Sequence, residues 1–435
     1  MNRPYMNRPY MNRPYMNRPY MNRPYGCAGV PVPDMSEARV RIREVDVIQV
    51  TGAIVEAEGL HRQHQVQPLH IYPEHRPMPY ADADEPRLVE KRTTAYYLRI
   101  RTDDGLDGLY GAIDLEAARV ALAQLRPLLF GQDGLATEAL WDKMHRANRH
   151  SRAGHYMMAI SAVDNALWDL RGRYFGAPVY RLLGGPTRAH AEAYASCLGY
   201  SVAREAVERQ ALALQAKGFR YQKWFLAYGP GDGADGFRAN VELARVLRET
   251  LGDSTEIMFD AFNGWDYSYS LRWALAVEPY HPFWLEEPFS SDRVAEFAQL
   301  SRSTMVPLAT GEHFYGRWEV QRFLDAGAIK VVQADPEWCG GVSELAKICA
   351  LASVHGASVI PHGHNIHAAL HVVLSQPPML CPLVEYLLNW MSHKTHFEKE
   401  PHRVENGLIA LPQRPGFGIE LDDAKIEEQV VLTRL

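Results

Sequence analysis

Cysteine is scarce and unpatterned: the five residues (Cys27, Cys197, Cys339, Cys349 and Cys381) are odd in number and show no CxxC spacing. Neither a disulfide framework nor a zinc site is expected, and a reducing cytoplasm fits this usage. No apolar run approaches the roughly 18 residues needed to span a bilayer, so a membrane helix is not expected. The N-terminus lacks the apolar stretch of a secretory signal. There is no large excess of one charge either. Lys and Arg number 46 against 52 Asp and Glu, a formal net charge of −6, which argues against nucleic acid or an anionic membrane as partner. The glycine-rich YGPGDGADG has no GK[ST] and no GxGxxG, so it does not read as a phosphate loop.

What remains is ordinary globular composition, 47% hydrophobic and 23% charged over 435 residues. That length suggests two or three domains, although a barrel can use more than about 200 residues as one. Residues 1–25 are five copies of MNRPY. A proline in every fifth position cannot sustain a helix, so residues 1–39 read as a disordered arm and linker. Order is expected from Val40, where VRIREVDVIQVTGAIV and then TTAYYLRIRTDDG read as strands. The long polar stretch between them carries His61, His64, His70 and His75 and reads as a lid or binding loop. LEAARVALAQLRPLLFG and YMMAISAVDNALWDLRGRYFG read as helices, and His145, His150 and His155 as surface residues of a basic helical segment.

After Gly185 short apolar strands alternate with amphipathic helices of about 10–15 residues, the signature of consecutive βα units and a parallel sheet. The ionisable residues of this region keep step with it. EIMFD ends at Asp260, FWLE at Glu286, PLATGE at Glu312, VVQAD at Asp335, SVIPH at His362 and LVE at Glu385. Successive gaps are 26, 26, 23, 27 and 23 residues, about one βα unit each. A single carboxylate after a strand is commonly a helix cap or a solvated loop residue. Six in register place six titratable groups on the one face where barrel enzymes keep their chemistry.

The order of residue types sharpens this. Asp260, Glu286 and Glu312 are three carboxylates on adjacent strands, and converging carboxylates repel unless a cation sits between them. Hard oxygen ligands suit Mg²⁺, and Mn²⁺ would look the same in sequence. Asp335 and His362 follow on the next two strands, where a carboxylate can fix the imidazole tautomer and raise its basicity. His364, His367 and His371 crowd the same stretch, but His362 is closest to the strand end. Lys223, in FRYQKWF, is an uncommon lysine at the end of an apolar strand and can offer its charge to a developing oxyanion.

These stretches resemble the enolase superfamily. AISAVDNALWDLRGRYFGAPVYRLLGG looks like its junction between cap and barrel, and MFDAFN, WLEEP and ATGEHF are laid out like its metal triad. VVQADPEWCGG with VIPHG resembles the Asp-His pair of the mandelate racemase subgroup. QADPEWCGG, GEH, PHG, KWFLAYGPGDG and VEYL together look like rhamnonate dehydratases. The resemblance implies an α/β fold: a modified (β/α)7β barrel over about 189–404 with an α+β capping domain over about 40–188, completed by about 405–435. It implies Mg²⁺ on Asp260, Glu286 and Glu312, a base formed by His362 with Asp335, and substrate contacts from Lys223, His313 and Glu385. The expected activity is dehydration of a sugar acid through an enediolate. His64 is the cap-loop residue expected to touch the sugar, with hydroxyl contact or plain solvation as the readings for its neighbours.

Competing readings share the pocket. A racemase would need a base on each face of the substrate, and the Lys-x-Lys pair of such relatives is here Tyr221 and Lys223. A metal-dependent hydrolase on another barrel would show histidine ligands rather than carboxylates. A non-catalytic sugar-acid sensor would keep the pocket without turnover. The expected partner is a small sugar acid, with no nucleic acid and no membrane, and a closed homo-oligomer is the usual setting for such an enzyme.

Overall fold

A computed structural model describes residues 40–58, 65–76 and 87–434. Two sheets organise them. Strands β1 (Ile42–Ala57), β2 (Leu88–Thr102) and β3 (Asp107–Ile113) form an antiparallel sheet in the order expected of consecutive hairpins. The fourth strand comes from the other end of the chain. The C-terminal segment lays residues Glu428–Leu432 antiparallel along β1.

The second sheet is parallel and curls into a barrel. Its strands are β4 (His190–Ser196), β5 (Tyr221–Phe225), β6 (Glu256–Asp260), β7 (Trp284–Glu286), β8 (Leu308–Thr310), β9 (Val331–Val332), β10 (Ser358–Val359) and β11 (Leu383–Leu387). They pair in chain order from β4 to β10, and β11 returns beside β4. A backbone hydrogen bond from Val359 to the Leu380 carbonyl (2.7 Å) joins β10 to the chain just before β11. Seven helices alternate with the eight strands, which is the (β/α)7β pattern. The segment after the barrel is shared between sheets: β12 (Leu408–Ala410) pairs antiparallel with β4, and β13 is the strand Glu428–Leu432 on β1.

Side chains alternate along a strand, so residues two apart share one face. Tyr194, Met258, Trp284, Ala309, Val331, Ile360 and Leu383 pack together as an apolar floor inside the barrel. Two residues further along the chain stand Ser196, Asp260, Glu286, Gly311, Gln333, His362 and Glu385. One period of the pleat thus carries the interior from a dry floor to a layer rich in charge.

The helix His155–Phe175 joins the two sheets. It lies so close to β3 that a side chain at Gly108 would meet the Ala166 carbonyl at 2.2 Å. Its other face grips the loop after β9. Asp164 accepts from the Ser343 backbone N–H (2.9 Å) and hydroxyl (2.6 Å), and Asn165 accepts from Val342 N–H (3.0 Å) while donating to the Pro336 carbonyl (3.1 Å). Trp168 Nε1 donates to Ser343 Oγ at 2.8 Å. Gly341, at φ +82°, leaves no room for a Cβ beside Asp164. His145 corrects a sequence expectation. It is 8% exposed and stacks against both Trp141 and Trp318, centroids 4.9 Å from each, because its helix Thr137–Ala147 turns that face inward.

Burial pushes the Asp164 carboxyl up to about 7, against the hydrogen bonds from Ser343 and the charge of Lys347. The folded protein therefore holds a proton here that the unfolded chain releases near pH 4. This group's share of stability is complete at low pH and is lost as pH rises towards 7. The Asp164→Asn variant is expected to lose less stability than the parent between pH 4 and 8, by on the order of 4 kcal/mol, in denaturant unfolding followed across that range. Parallel pH curves for the two proteins would show that Asp164 is ionised throughout.

Candidate active site

The barrel gathers residues of β5 to β11 and of the turns after them at one place, although Lys223, expected at a strand end, stands within its strand. Lys223, in the middle of β5, is 1% exposed, and its ammonium lies 2.6 Å from Glu286 Oε1, 2.9 Å from Glu385 Oε1 and 3.4 Å from Asp260 Oδ2. Burial alone would favour the neutral amine, but Glu286 and Glu385 outweigh it and hold the lysine charged. Against burial, Lys223 and His362 bring Glu385 down to about 2.

Asp335 and His362 meet as neighbouring strand ends should. Asp335 Oδ2 lies 2.6 Å from His362 Nδ1, and His362 Nε2 faces Glu312 Oε2 at 3.8 Å. Burial lowers the imidazole's affinity for a proton. Glu312, the bond to Asp335 and the charge of Glu385 more than offset it, raising the ring to about 10. The Glu337 backbone N–H also binds Asp335, at 2.6 Å, so the loop clamped by the helix His155–Phe175 holds the carboxylate from the main chain as well.

Glu287, beside Glu286 in WLEEP, belongs to the cluster and was not singled out by strand-end spacing. β7 stops at Glu286, and Glu287 turns at φ +43°, a conformation rare for a glutamate. It thereby faces the same space as its neighbour. Asn263, itself at φ +58°, donates to Glu287 Oε2, and Thr310 donates to Oε1 at 3.3 Å. Ligand atoms of Glu287, Glu312 and His313 lie within 4.8 Å of one another. His313 Nε2 is 3.2 Å from Glu312 Oε1, and its ring stacks on Trp338 at 5.4 Å and 4°. The other side of the cluster is Trp338 against His362, centroids 5.0 Å apart. Consecutive acidic residues at a strand end were the available signal for Glu287; nothing in the sequence pattern marked Trp338.

The cap loop reaches this end of the barrel. Val66 N–H donates to the Leu226 carbonyl at 2.7 Å, and the Val66 side chain fills the space that a Cβ at Gly229 or Gly264 would occupy. His70 serves the loop itself: its Nδ1 accepts from Gln67 N–H (3.2 Å) and its carbonyl accepts from Arg76 Nε (2.9 Å). His61 and His64 lie outside the described residues.

The donor set fits a divalent ion. Asp260, Glu286, Glu287, Glu312, Asp335 and Glu385 bring six carboxylates to a region that holds Lys223 and His362 as cations. Burial first, then Glu286 and Glu312, push Asp260 well above the usual carboxylate range. Burial with Glu312, Asp260 and Glu286 does the same to Glu287. Such groups are short of positive charge, and all of them offer the hard oxygen that Mg²⁺ prefers.

Residues 206–425 match the family described as Enolase C-terminal domain-like. Residues 87–184 match the family described as Mandelate racemase / muconate lactonizing enzyme, N-terminal domain. The L-rhamnonate dehydratase of Saccharopolyspora erythraea is 33% identical over 403 residues, 88% of this chain and 97% of that one. The arabinonate dehydratase of Saccharolobus solfataricus is 32% identical over 340 residues, 76% of this chain and 88% of that one. Among solved structures, rhamnonate dehydratase from Gibberella zeae complexed with Mg superposes with a TM-score of 0.76 at 25% identity, covering 89% of this chain and 95% of that one.

The raised carboxyls and the His362 imidazolium carry protons that an arriving divalent cation displaces. Mg²⁺ binding at neutral pH should release on the order of one proton per chain, and less as the pH is raised. Titration calorimetry in buffers of different ionisation enthalpy measures it. Heats independent of the buffer would show that these carboxyls hold no proton for the ion to displace.

Proposed function

The chain belongs to the enolase superfamily, and on that footing we propose that it dehydrates a sugar acid, an aldonate of the rhamnonate kind, to a 2-keto-3-deoxy acid. The observation that carries this reading is the Asp335–His362 pair held at 2.6 Å with the free ring nitrogen turned towards Glu312 of the carboxylate cluster. Asp260, Glu286 and Glu312 hold Mg²⁺, and Mn²⁺ suits the same oxygens. When bound, the ion supplies positive charge against the negative charge that builds on the substrate carboxylate.

The proton on the carbon next to a carboxylate is very weakly acidic. Enolase-type sites remove it with a Lys or His base beside the ion. Here His362 Nε2 takes the C2 proton. Asp335 fixes the opposite nitrogen and stabilises the imidazolium that forms. Lys223 and Glu385, ordered by each other, and His313, ordered by Glu312 and Trp338, face the substrate. The 3-hydroxyl departs as water, and the enol tautomerises to the keto acid. Floor packing and the helix-clamped loop exclude water from beneath the pair.

Racemisation through the same enediolate finds less support. Tyr221, where a first lysine would stand, packs against the apolar floor, and Lys223 is held charged by carboxylates rather than free to accept a proton. A closed homo-oligomer in the cytoplasm is the proposed setting.

A screen of aldonic and aldaric acids for Mg²⁺-dependent 2-keto acid release, read with semicarbazide, tests the reading. At least one aldonate should turn over, and chelation should abolish it. His362→Asn should lose both keto-acid release and solvent exchange at C2, by about 10²–10⁴-fold. No turnover of any member, or exchange surviving in His362→Asn at the parent rate, would sink the proposal.

A further inference from the structure

Beside the Asp335–His362 pair stands a second imidazole that the reaction as described does not use. His364 donates its backbone N–H to Asp335 Oδ2 at 3.3 Å, the oxygen that also faces His362 Nδ1. The His364 ring lies 5.0 Å from the Trp338 ring, as does the His362 ring. On its far side, His364 Nε2 is 2.8 Å from the ammonium of Lys394, the last residue of the helix Leu388–Lys394 after β11.

That contact fixes the tautomer. An ammonium has only protons to offer, so Nε2 accepts and the ring's own proton sits on Nδ1. Nδ1 is buried and has no partner among the described residues. A buried donor without an acceptor is costly to keep and calls for an explanation. We propose that His364 Nδ1–H is the acid that protonates the departing 3-hydroxyl, with Lys394 acting through it as a positioning residue. This rests on the dehydration reading above and assigns the loss of the 3-hydroxyl to a second histidine.

The proton count closes. His362 takes the C2 proton. The C3–O bond breaks with its electron pair on oxygen, which takes the Nδ1 proton and leaves as water. Lys394 gives a proton to Nε2, leaving the ring neutral. C3 receives the proton held on His362 as the enol hydroxyl loses its own to solvent. Solvent then returns a proton to Nδ1, and Nε2 hands its proton back to Lys394. Lys394 and Asp114 line a cleft of about 260 Å³ together with Thr93, Thr94 and Tyr96, so the lysine end of the relay opens on a space of its own. Burial, then Lys394 and His362, hold His364 well below its ordinary value, and burial lowers Lys394 against the pull of Asp114, Glu337 and Asp335. A neutral ring backed by an acidified ammonium is the state such a relay needs.

The test separates the C2 step from the loss of oxygen. With Mg²⁺ and a sugar acid that the parent dehydrates, His364→Gln should release keto acid about 10²–10⁴-fold more slowly. C2 exchange with solvent deuterium should stay within about threefold of the parent, since His362 remains in place. Fluoride needs no proton to leave. The 3-deoxy-3-fluoro analogue of the same acid should therefore lose fluoride at close to the parent rate. Lys394→Met, which keeps the His364 ring, should move in the same direction by a smaller factor and show the same fluoride rescue. Undiminished dehydration in His364→Gln overturns the inference and leaves the dehydration reading standing. So does a loss of water release in both variants that fluoride fails to rescue. Absence of keto-acid release by the parent from every sugar acid overturns the dehydration reading and this inference with it.

Discussion

The structure turns on a surplus of buried negative charge at one end of a closed barrel. Six carboxylates share that space with one lysine and one imidazolium, and water is kept from most of them. Carboxylates crowded in this way either take up protons or gather a cation. Lys223 answers part of the demand, touching three of them within 3.4 Å. The remainder lies on the side of Glu287 and Glu312, which is also where His362 presents its free nitrogen. The proposed binding of a divalent ion and the proposed role of His362 as base would thus both follow from one electrostatic imbalance.

Much of this was legible before any coordinates. The spacing of about one βα unit between Asp260, Glu286, Glu312, Asp335, His362 and Glu385 reflects a barrel's periodicity, and the pleat carries Asp260, Glu286, His362 and Glu385 inward above an apolar residue two positions earlier. What spacing cannot give is the turn that follows a strand. Glu287 enters the site because its backbone adopts a positive φ, a property of the tertiary surroundings rather than of the glutamate. His145 was misjudged for a related reason. A basic neighbourhood says nothing about which helix face meets Trp141 and Trp318. The pairing of His364 with Lys394 spans 30 residues and depends on where the helix after β11 docks.

The cap contributes more than a cover. Ser161, Asp164, Asn165 and Trp168 all lie on one face of the helix His155–Phe175, and each binds the stretch between Pro336 and Ser343. That stretch begins beside Asp335 and carries Trp338. Two imidazoles rest on Trp338 in stacked geometry and a third tilts against it. The orientation of three histidines is therefore settled by a helix that belongs to the other sheet, and the two halves of the protein share the reactive pair.

β9 and β10 each comprise only two residues. Backbone bonding nevertheless runs on to His362: the Ile360 and His362 N–H groups donate to the Val332 and Gln333 carbonyls at 2.9 and 3.1 Å. Beyond His362 side chains take over, with the Gly363 N–H donating to Glu385 Oε2 and the His364 N–H to Asp335 Oδ2. Each of those carboxylates thus fixes main chain as well as carrying charge, so exchanging either one would unseat the backbone that presents His362.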